Sequence, residues 1–89
     1  MNKNKKIKAI LLYAPEWCKM SREIRIPFIE ECHKLHVNYE VLDVEQHDGL
    51  ELSKKYGMRN PPAVLIFENN KLIGMERGKY CYQTIETYL

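Results

Sequence analysis

The sequence has little that would tie the chain to a membrane or a nucleic acid. No apolar run in its 89 residues approaches the roughly 20 residues that a membrane-spanning helix needs. Its 14 Lys and Arg are nearly balanced by 12 Asp and Glu, and a net charge of +2 is too small to indicate a nucleic-acid partner. Lysines cluster before residue 9, but the apolar run after them is too short for a secretory signal. We therefore expect one monomeric domain over 1–89, with neither a membrane nor a nucleic acid as partner.

Cysteines are also few, and their number of three is odd, which argues against a disulfide framework. Cys18 and Cys32 lie at opposite ends of one predicted helix, roughly 21 Å apart at about 1.5 Å per residue, which is beyond disulfide range. Cys32 and His36 have a spacing that suits two metal ligands, but Cys32 belongs to an apolar stripe, so we predict core packing and no metal site. Cys81 is predicted to be a passive thiol near the surface. This pattern favours a reducing compartment, and we predict a cytoplasmic location.

The spacing of apolar residues predicts alternating strands and helices. The continuous run over 7–13 predicts a strand that is buried on both faces and central in its sheet. Between Ile24 and Leu35 apolar residues recur at helical spacing, and Pro27 is expected to kink that helix. The predicted strands cover 7–13, 37–44, 63–67 and 72–75, and the long and closing helices cover 19–36 and 82–89.

Turn and cap residues complete the predicted fold. Asp48 is the predicted N-cap of a short helix between the second and third strands, and Gly57 is its predicted stop. Asn69 and Asn70 tolerate the positive φ of a tight turn, so they predict an antiparallel hairpin between the last two strands. The order βαβαββα predicts an α/β fold with a mixed four-stranded sheet flanked by helices, in which the first two strands are parallel.

The chemistry of the sequence centres on the segment 17–21, which reads WCKMS. Cys18 lies where the first strand passes into the first helix. Unpaired N–H groups and the positive dipole end at such a position stabilise a thiolate over a thiol. Lys19 and Arg22 are close in sequence and act in the same direction. Cysteines are more often small buried hydrophobes, but this position and these cations favour a reactive thiol.

Further residues extend this pattern along nearly the whole chain. The segment 56–59, YGMR, precedes a proline pair that opens the third strand, and a glycine follows the hairpin. Together with the Trp-Cys pair after the first strand, this spacing resembles the thioredoxin-like family. The resemblance implies a nucleophile at Cys18, a flanking Trp17, substrate contacts at Arg59 and Pro61, a cis-proline at Pro62 and a groove-bordering Gly78.

The sequence also departs from the family at functional positions. Ser21 replaces the second cysteine, so no intramolecular disulfide can form with Cys18. Leu12 stands where the family has a buried aspartate that assists proton transfer. Pro61 precedes the cis-proline and has no N–H, so half of the backbone clamp for an extended substrate is missing. The helix proline, Pro27, lies one residue further from the nucleophile than in the family.

The resemblance therefore implies a thiol–disulfide oxidoreductase of thioredoxin type in monothiol form, with Cys18 as nucleophile and Ser21 beside it. No cofactor is expected other than glutathione as an external thiol, and the expected partners are a protein disulfide and either a reductase or glutathione. Three alternatives stay open. In the first, Ser21 replaces a natural cysteine by engineering. In the second, the chain is a non-catalytic interaction module. In the third, it is a glutaredoxin-like protein that binds glutathione and an iron–sulfur cluster. Trp17 and the lack of a Gly-Gly pair after the hairpin count against the last.

Overall fold

Within residues 6–89, which the computed structural model describes, four strands and three helices follow one another in the predicted order. They are β1 (Ile7–Tyr13), α1 (Lys19–Leu35), β2 (Asn38–Asp43), α2 (His47–Lys55), β3 (Ala63–Glu68), β4 (Lys71–Arg77) and a 3₁₀ helix (Cys81–Tyr88). The chain thus has an α/β fold with a mixed sheet flanked by helices. Part of the N-terminal lysine cluster, Lys3 and Lys5, lies outside the described residues.

The four strands are arranged in the order β2-β1-β3-β4. β1 pairs in parallel with β2 and antiparallel with β3, and β3 pairs antiparallel with β4. The prediction of a central first strand is therefore confirmed. At its carboxyl end, Leu12 lies between Leu42 of β2 and Ala63 of β3, so neighbours on both sides fix the point from which the chain leaves the sheet.

Side chains of β1 alternate between two cores on opposite faces of the sheet. Ala9 and Leu11 belong to the first core, which contains Phe28 of α1 and Ile85 of the 3₁₀ helix. The second core includes Ile10, Leu12, Met58 and Leu65. Full burial of a large apolar side chain contributes roughly 1.5–3 kcal/mol, so both faces anchor the strand that leads to the segment 14–18.

Helix α1 buries one stripe of its surface against this sheet. Ile24, Phe28 and Cys32 recur at helical spacing and are all buried, as the apolar pattern predicts. The helix continues through Pro27 and ends at the C-cap residue His36, which has a left-handed φ of 57°. Its first turn contains no acidic residue, so nothing there offsets the positive end of the helix dipole.

Helix α2 begins earlier than predicted, and the prediction of Asp48 as its N-cap is wrong. The N-cap is Gln46, whose carbonyl accepts the first helical hydrogen bond from the Leu50 N–H at 2.7 Å. Asp48 instead lies in the first turn, where its carboxylate suits the positive end of the dipole. Gly57 follows the helix with a φ of +64°, in agreement with its predicted role as the stop.

The hairpin between β3 and β4 has the predicted two-residue turn. Asn69 and Asn70 have φ values of 52° and 69°, as a type I′ turn requires. The pairing register shifts after Ile66, which leaves Ile73 of β4 as an extra residue in a bulge. β4 then extends to Arg77 and delivers Gly78 to the same end of the sheet as Cys18.

The closing helix is a 3₁₀ helix over Cys81–Tyr88. The hydroxyls of Thr84 and Thr87 donate to carbonyls three residues earlier, and β-branched side chains disfavour a regular α-helix. The prediction that Cys81 lies near the surface is wrong, because it is only 3% exposed and belongs to the first core. Among the helices of the described chain, none is both long and apolar enough to cross a membrane.

Candidate active site

Cys18 is the N-cap residue of α1, with extended backbone angles. Its N–H donates to the Ala14 carbonyl at 2.9 Å, which closes a tight turn directly after β1. Its own carbonyl accepts the first helical hydrogen bond, from the Arg22 N–H at 3.2 Å. The backbone therefore places the thiol at the positive end of α1, the position that the sequence predicts.

Two backbone groups surround the half-buried thiol. Its Sγ accepts a hydrogen bond from the Ser21 N–H at 3.4 Å, and the S–H donates to the Pro61 carbonyl at 3.6 Å. The remaining surface of the side chain packs against the second core. The sulfur is thus held between one backbone donor and one backbone acceptor, which is compatible with both the thiol and the thiolate.

Two side chains hold the turn that presents Cys18. The Arg22 guanidinium donates to the Pro15 carbonyl at 2.9 Å, so this cation is engaged with the backbone of the turn. Trp17 is 58% exposed, and its indole N–H donates to the Glu45 carboxylate at 2.9 Å. No sequence pattern indicates a role for Glu45, because it lies in the loop between β2 and α2 and meets Trp17 only in the folded protein.

The loop before β3 forms the second wall of the site. The Pro61–Pro62 peptide bond is cis, and Pro62 is buried while Pro61 is half-buried. The Gly78 N–H donates to the Pro62 carbonyl at 3.3 Å, which ties the end of β4 to this loop. Gly78 has a φ of +103°, a conformation that side-chain-bearing residues rarely adopt. Arg59 lies at the exposed start of the loop.

Ser21 and Leu12, two of the departures from the family pattern, are both fully buried. Among residues 6–89, the Ser21 hydroxyl has no hydrogen-bond partner. Leu12 belongs to the second core, against which the Cys18 side chain packs. The environment beneath the nucleophile is therefore apolar, and a proton that leaves Cys18 has no buried carboxylate at these two positions to receive it.

The other two thiols are buried in the core, whereas Cys18 is half-buried. Burial raises the pKa of Cys32 to about 12 and that of Cys81 to about 12. All three cysteines are free, and no group of three potential metal-ligating side chains occurs in the part of the chain that the structure describes. Cys18 is thus the thiol that the fold presents for reaction.

The sequence of this chain is similar to that of a known thioredoxin over part of its length. No family model matches the sequence. A thioredoxin of Rickettsia bellii is 37% identical over 57 residues, which are 63% of this chain and 53% of that protein, so the match spans about half of the relative's length.

Solved structures match over most of this chain. The structure of Fasciola hepatica thioredoxin has a TM-score of 0.78 at 23% identity and covers 97% of this chain and 82% of its own. A chain in the complex of ferredoxin:thioredoxin reductase and thioredoxin f2 has a TM-score of 0.74 at 26% identity and covers 93% of this chain and 74% of its own. Each of these two likenesses thus covers more than nine tenths of this chain.

Proposed function

We propose that the chain is a thiol–disulfide oxidoreductase of the thioredoxin-like family with Cys18 as the nucleophile, because it has the fold of thioredoxins and resembles one of them in sequence over 63% of its length. One observation carries this proposal. The Cys18 sulfur lies at the N-terminus of α1 and accepts the Ser21 N–H, so the protein supplies a donor for the negative charge of a thiolate. Cys32 and Cys81 are buried, and burial raises the pKa of each to about 12.

The reaction begins when the Cys18 thiolate attacks one sulfur of a substrate disulfide in line with the S–S bond. A new bond forms between the two sulfurs, and the other substrate sulfur leaves as a thiolate that takes a proton from water. The product is a mixed disulfide on Cys18. Trp17, Pro61, Pro62 and Gly78 surround this position and form the proposed substrate site, with Arg59 at its exposed border.

Resolution of the mixed disulfide requires a thiol from outside the chain. Ser21 occupies the place of a resolving cysteine, and a hydroxyl cannot form an S–S bond. An external thiol, such as glutathione or a cysteine of the substrate or of a reductase, attacks the mixed disulfide and releases the Cys18 thiolate. We propose a reducing compartment such as the cytoplasm and a monomeric protein that works in this monothiol form.

Mass spectrometry after incubation with oxidised glutathione tests this function. We expect one glutathione adduct, located on Cys18, which disappears on addition of dithiothreitol. Cys18→Ser should remove the adduct, whereas the matched control Cys81→Ser should keep it. No adduct on Cys18, or an adduct on Cys81 instead, would contradict the proposal.

A second candidate function is a non-catalytic interaction module that uses the same surface to bind a partner. The observation that favours it is the surrounding of Cys18, where Leu12 packs in the second core and the Ser21 hydroxyl has no hydrogen-bond partner within residues 6–89. A disulfide-reduction assay with glutathione as the electron donor separates the two. Sustained reduction supports the oxidoreductase, and partner binding that Cys18→Ser leaves unchanged supports the interaction module.

A further inference from the structure

A groove of about 80 Å³, called the flank groove below, opens between α1 and the segment that follows Gly78. Ile24 of α1 belongs to the first core and Tyr82 packs against that core, so the groove lies on the face of the sheet that α1 and the 3₁₀ helix cover. Its walls are therefore distinct from the loop before β3. One wall consists of Met20, Glu23, Ile24 and Pro27, and the other consists of Lys79, Tyr80 and Tyr82.

The flank groove lies within reach of a substrate on Cys18. Met20 and Pro27 follow Cys18 by two and nine positions in the sequence. At about 1.5 Å per residue, the groove extends from roughly 3 to 13 Å beyond the nucleophile along the helix axis. An extended chain covers about 3.3 Å per residue, so a side chain within about four positions of a substrate cysteine can enter the groove.

The walls and the size of the flank groove suit an aliphatic side chain. Met20 and Tyr80 are large side chains that stay 40% and 59% exposed at its rim, while Ile24 is buried at its base. Exposed apolar side chains that line a cavity are typical of a binding surface. A cavity of roughly 150 Å³ holds a benzene ring. The flank groove has about half that volume, so it has room for a branched aliphatic side chain but not for a fully inserted aromatic ring.

The charges at the flank groove favour an acidic neighbour for that side chain. The Glu23 carboxylate lies 3.8 Å from the Lys19 ammonium, so its charge is already offset. The Lys79 ammonium lies 5.7 Å from the centre of the Tyr80 ring, and among residues 6–89 it takes part in no ion pair. One positive charge at the groove therefore has no carboxylate partner within the described chain.

We propose that the flank groove selects disulfide substrates with a branched aliphatic side chain and an adjacent carboxylate within about four residues of the reacting cysteine. The aliphatic side chain fills the groove against Met20 and Tyr80, and the carboxylate pairs with Lys79. This inference rests on the proposed function and names its preferred substrates. Lys79 and Tyr80 determine specificity, whereas the sulfur chemistry stays at Cys18.

Short peptides whose cysteine carries a thionitrobenzoate group test this preference. The Cys18 thiolate attacks the peptide sulfur, a mixed disulfide forms, and the coloured thionitrobenzoate leaves as a thiolate. Its absorbance gives the second-order rate constant. A Leu-Glu pair stands two or three residues before the cysteine in one peptide and after it in another. Matched peptides have Ser-Gln, Phe-Glu or Leu-Lys in the same places.

On one side of the cysteine, the Leu-Glu peptide should react roughly three- to tenfold faster than the Ser-Gln peptide, because it gains a partly buried aliphatic side chain and an exposed ion pair. The Phe-Glu and Leu-Lys peptides should both be slower than the Leu-Glu peptide. Equal rates for Leu-Glu and Ser-Gln on both sides, or a Phe-Glu peptide that reacts as fast as Leu-Glu, would overturn the proposal.

Variants of the protein locate the preference. Lys79→Glu should make the Leu-Lys peptide faster than the Leu-Glu peptide, and Tyr80→Ala should reduce the advantage of Leu over Ser. The matched control is Lys55→Glu, because the Lys55 ammonium also lies over a tyrosine ring, at 5.3 Å from the centre of Tyr56, but outside the flank groove. This control should keep both preferences. Preferences that survive in Lys79→Glu and in Tyr80→Ala would overturn the proposal.

Reaction with 2-hydroxyethyl disulfide, which has neither an aliphatic branch nor a carboxylate, separates this proposal from the function on which it rests. The wild type, Lys79→Glu and Tyr80→Ala should all react with it at the same rate. If Cys18 reacts with this disulfide but distinguishes none of the peptides, the groove does not select substrates and the oxidoreductase function stands. If Cys18 reacts with none of these disulfides, the proposed function fails and this inference fails with it.

Discussion

At the level of single residues, Ser21 brings a buried polar group into the site. Its side chain is fully buried, and its hydroxyl has no partner within residues 6–89. A buried hydroxyl without a partner costs roughly 1–3 kcal/mol relative to a bonded one. A residue without this hydroxyl should therefore fit the first turn of α1 at least as well.

Ser21→Ala should leave the free energy of unfolding unchanged or raise it by about 1 kcal/mol, because it removes an unpaired polar group. Urea unfolding followed by circular dichroism measures this. Ser53→Ala is the matched control. The Ser53 hydroxyl donates to the Leu50 carbonyl at 3.3 Å, so this substitution removes no unpaired polar group and should not raise the free energy of unfolding. A loss of more than about 1 kcal/mol in Ser21→Ala would mean that the hydroxyl is bonded in solution.

The positions of most site residues can be predicted from the sequence, but the side-chain hydrogen bond that holds Trp17 in place cannot. Strand, helix and turn patterns predict where Cys18, the proline pair and Gly78 occur, and the structure brings Cys18 to Pro61 and Gly78 to Pro62 through backbone groups. The bond between Trp17 and Glu45 joins residues from two separate loops. Loops carry no periodic signal, so such a contact follows from the folded topology alone.

At the level of elements, the 3₁₀ helix is attached to β4 through Tyr88. Its hydroxyl donates to the Glu76 carboxylate at 2.7 Å, and its ring lies over Gly74, where an added Cβ would collide with the hydroxyl oxygen. The glycine thus makes room for the ring, and the carboxylate fixes the hydroxyl. The hydrogen bond to Glu76 raises the pKa of Tyr88 above its ordinary value of 10.0.

This contact should make stability depend on pH in the alkaline range. The folded protein holds the phenolic proton more tightly than the unfolded chain, so the stabilisation is complete below the unfolded pKa near 10 and is lost as the pH rises through the raised pKa. Between pH 9 and pH 11 the wild type should lose more stability than Tyr88→Phe, as measured by urea unfolding at each pH. The exposed Tyr80 offers a control, because Tyr80→Phe should follow the wild type. Parallel curves for the wild type and Tyr88→Phe would contradict this account.

The existence and order of the elements could be predicted, whereas two of their details could not. Apolar spacing identifies α1 and β1 because burial requires it. The start of α2 depends on the extended conformation of Gln46, and an Asp two positions later is an equally good cap by composition. The last helix is a 3₁₀ helix in which two threonine hydroxyls bond to the backbone, and apolar spacing does not reveal this form.

At the level of the whole molecule, the fold divides the three thiols between the core and the surface. Cys32 and Cys81 belong to the core between the sheet, α1 and the 3₁₀ helix, and burial raises the pKa of each to about 12. Cys18 lies outside that core, at the end of the sheet where β1 meets α1. Reaction of the two buried thiols therefore requires the molecule to open.

Thiol titration should measure this division directly. With Ellman's reagent at pH 7, the native protein should react quickly at one thiol, and in denaturant it should react at all three. Cys18→Ser should have no fast phase, whereas Cys81→Ser should keep it. Fast reaction of a second thiol in the native state would mean that the core opens more readily than its packing implies.

Trp17 is the only tryptophan of the sequence, and it stands next to the reacting sulfur with its indole exposed and held by one carboxylate. With an excitation wavelength that selects tryptophan over the six tyrosines, the emission of the protein therefore originates at the site itself. A disulfide bond on the adjacent residue or a peptide laid over the indole changes its surroundings, while events in the distant core do not touch it. The unlabelled protein carries its own optical probe, and the occupancy of Cys18 can be followed in real time from the emission of a single side chain.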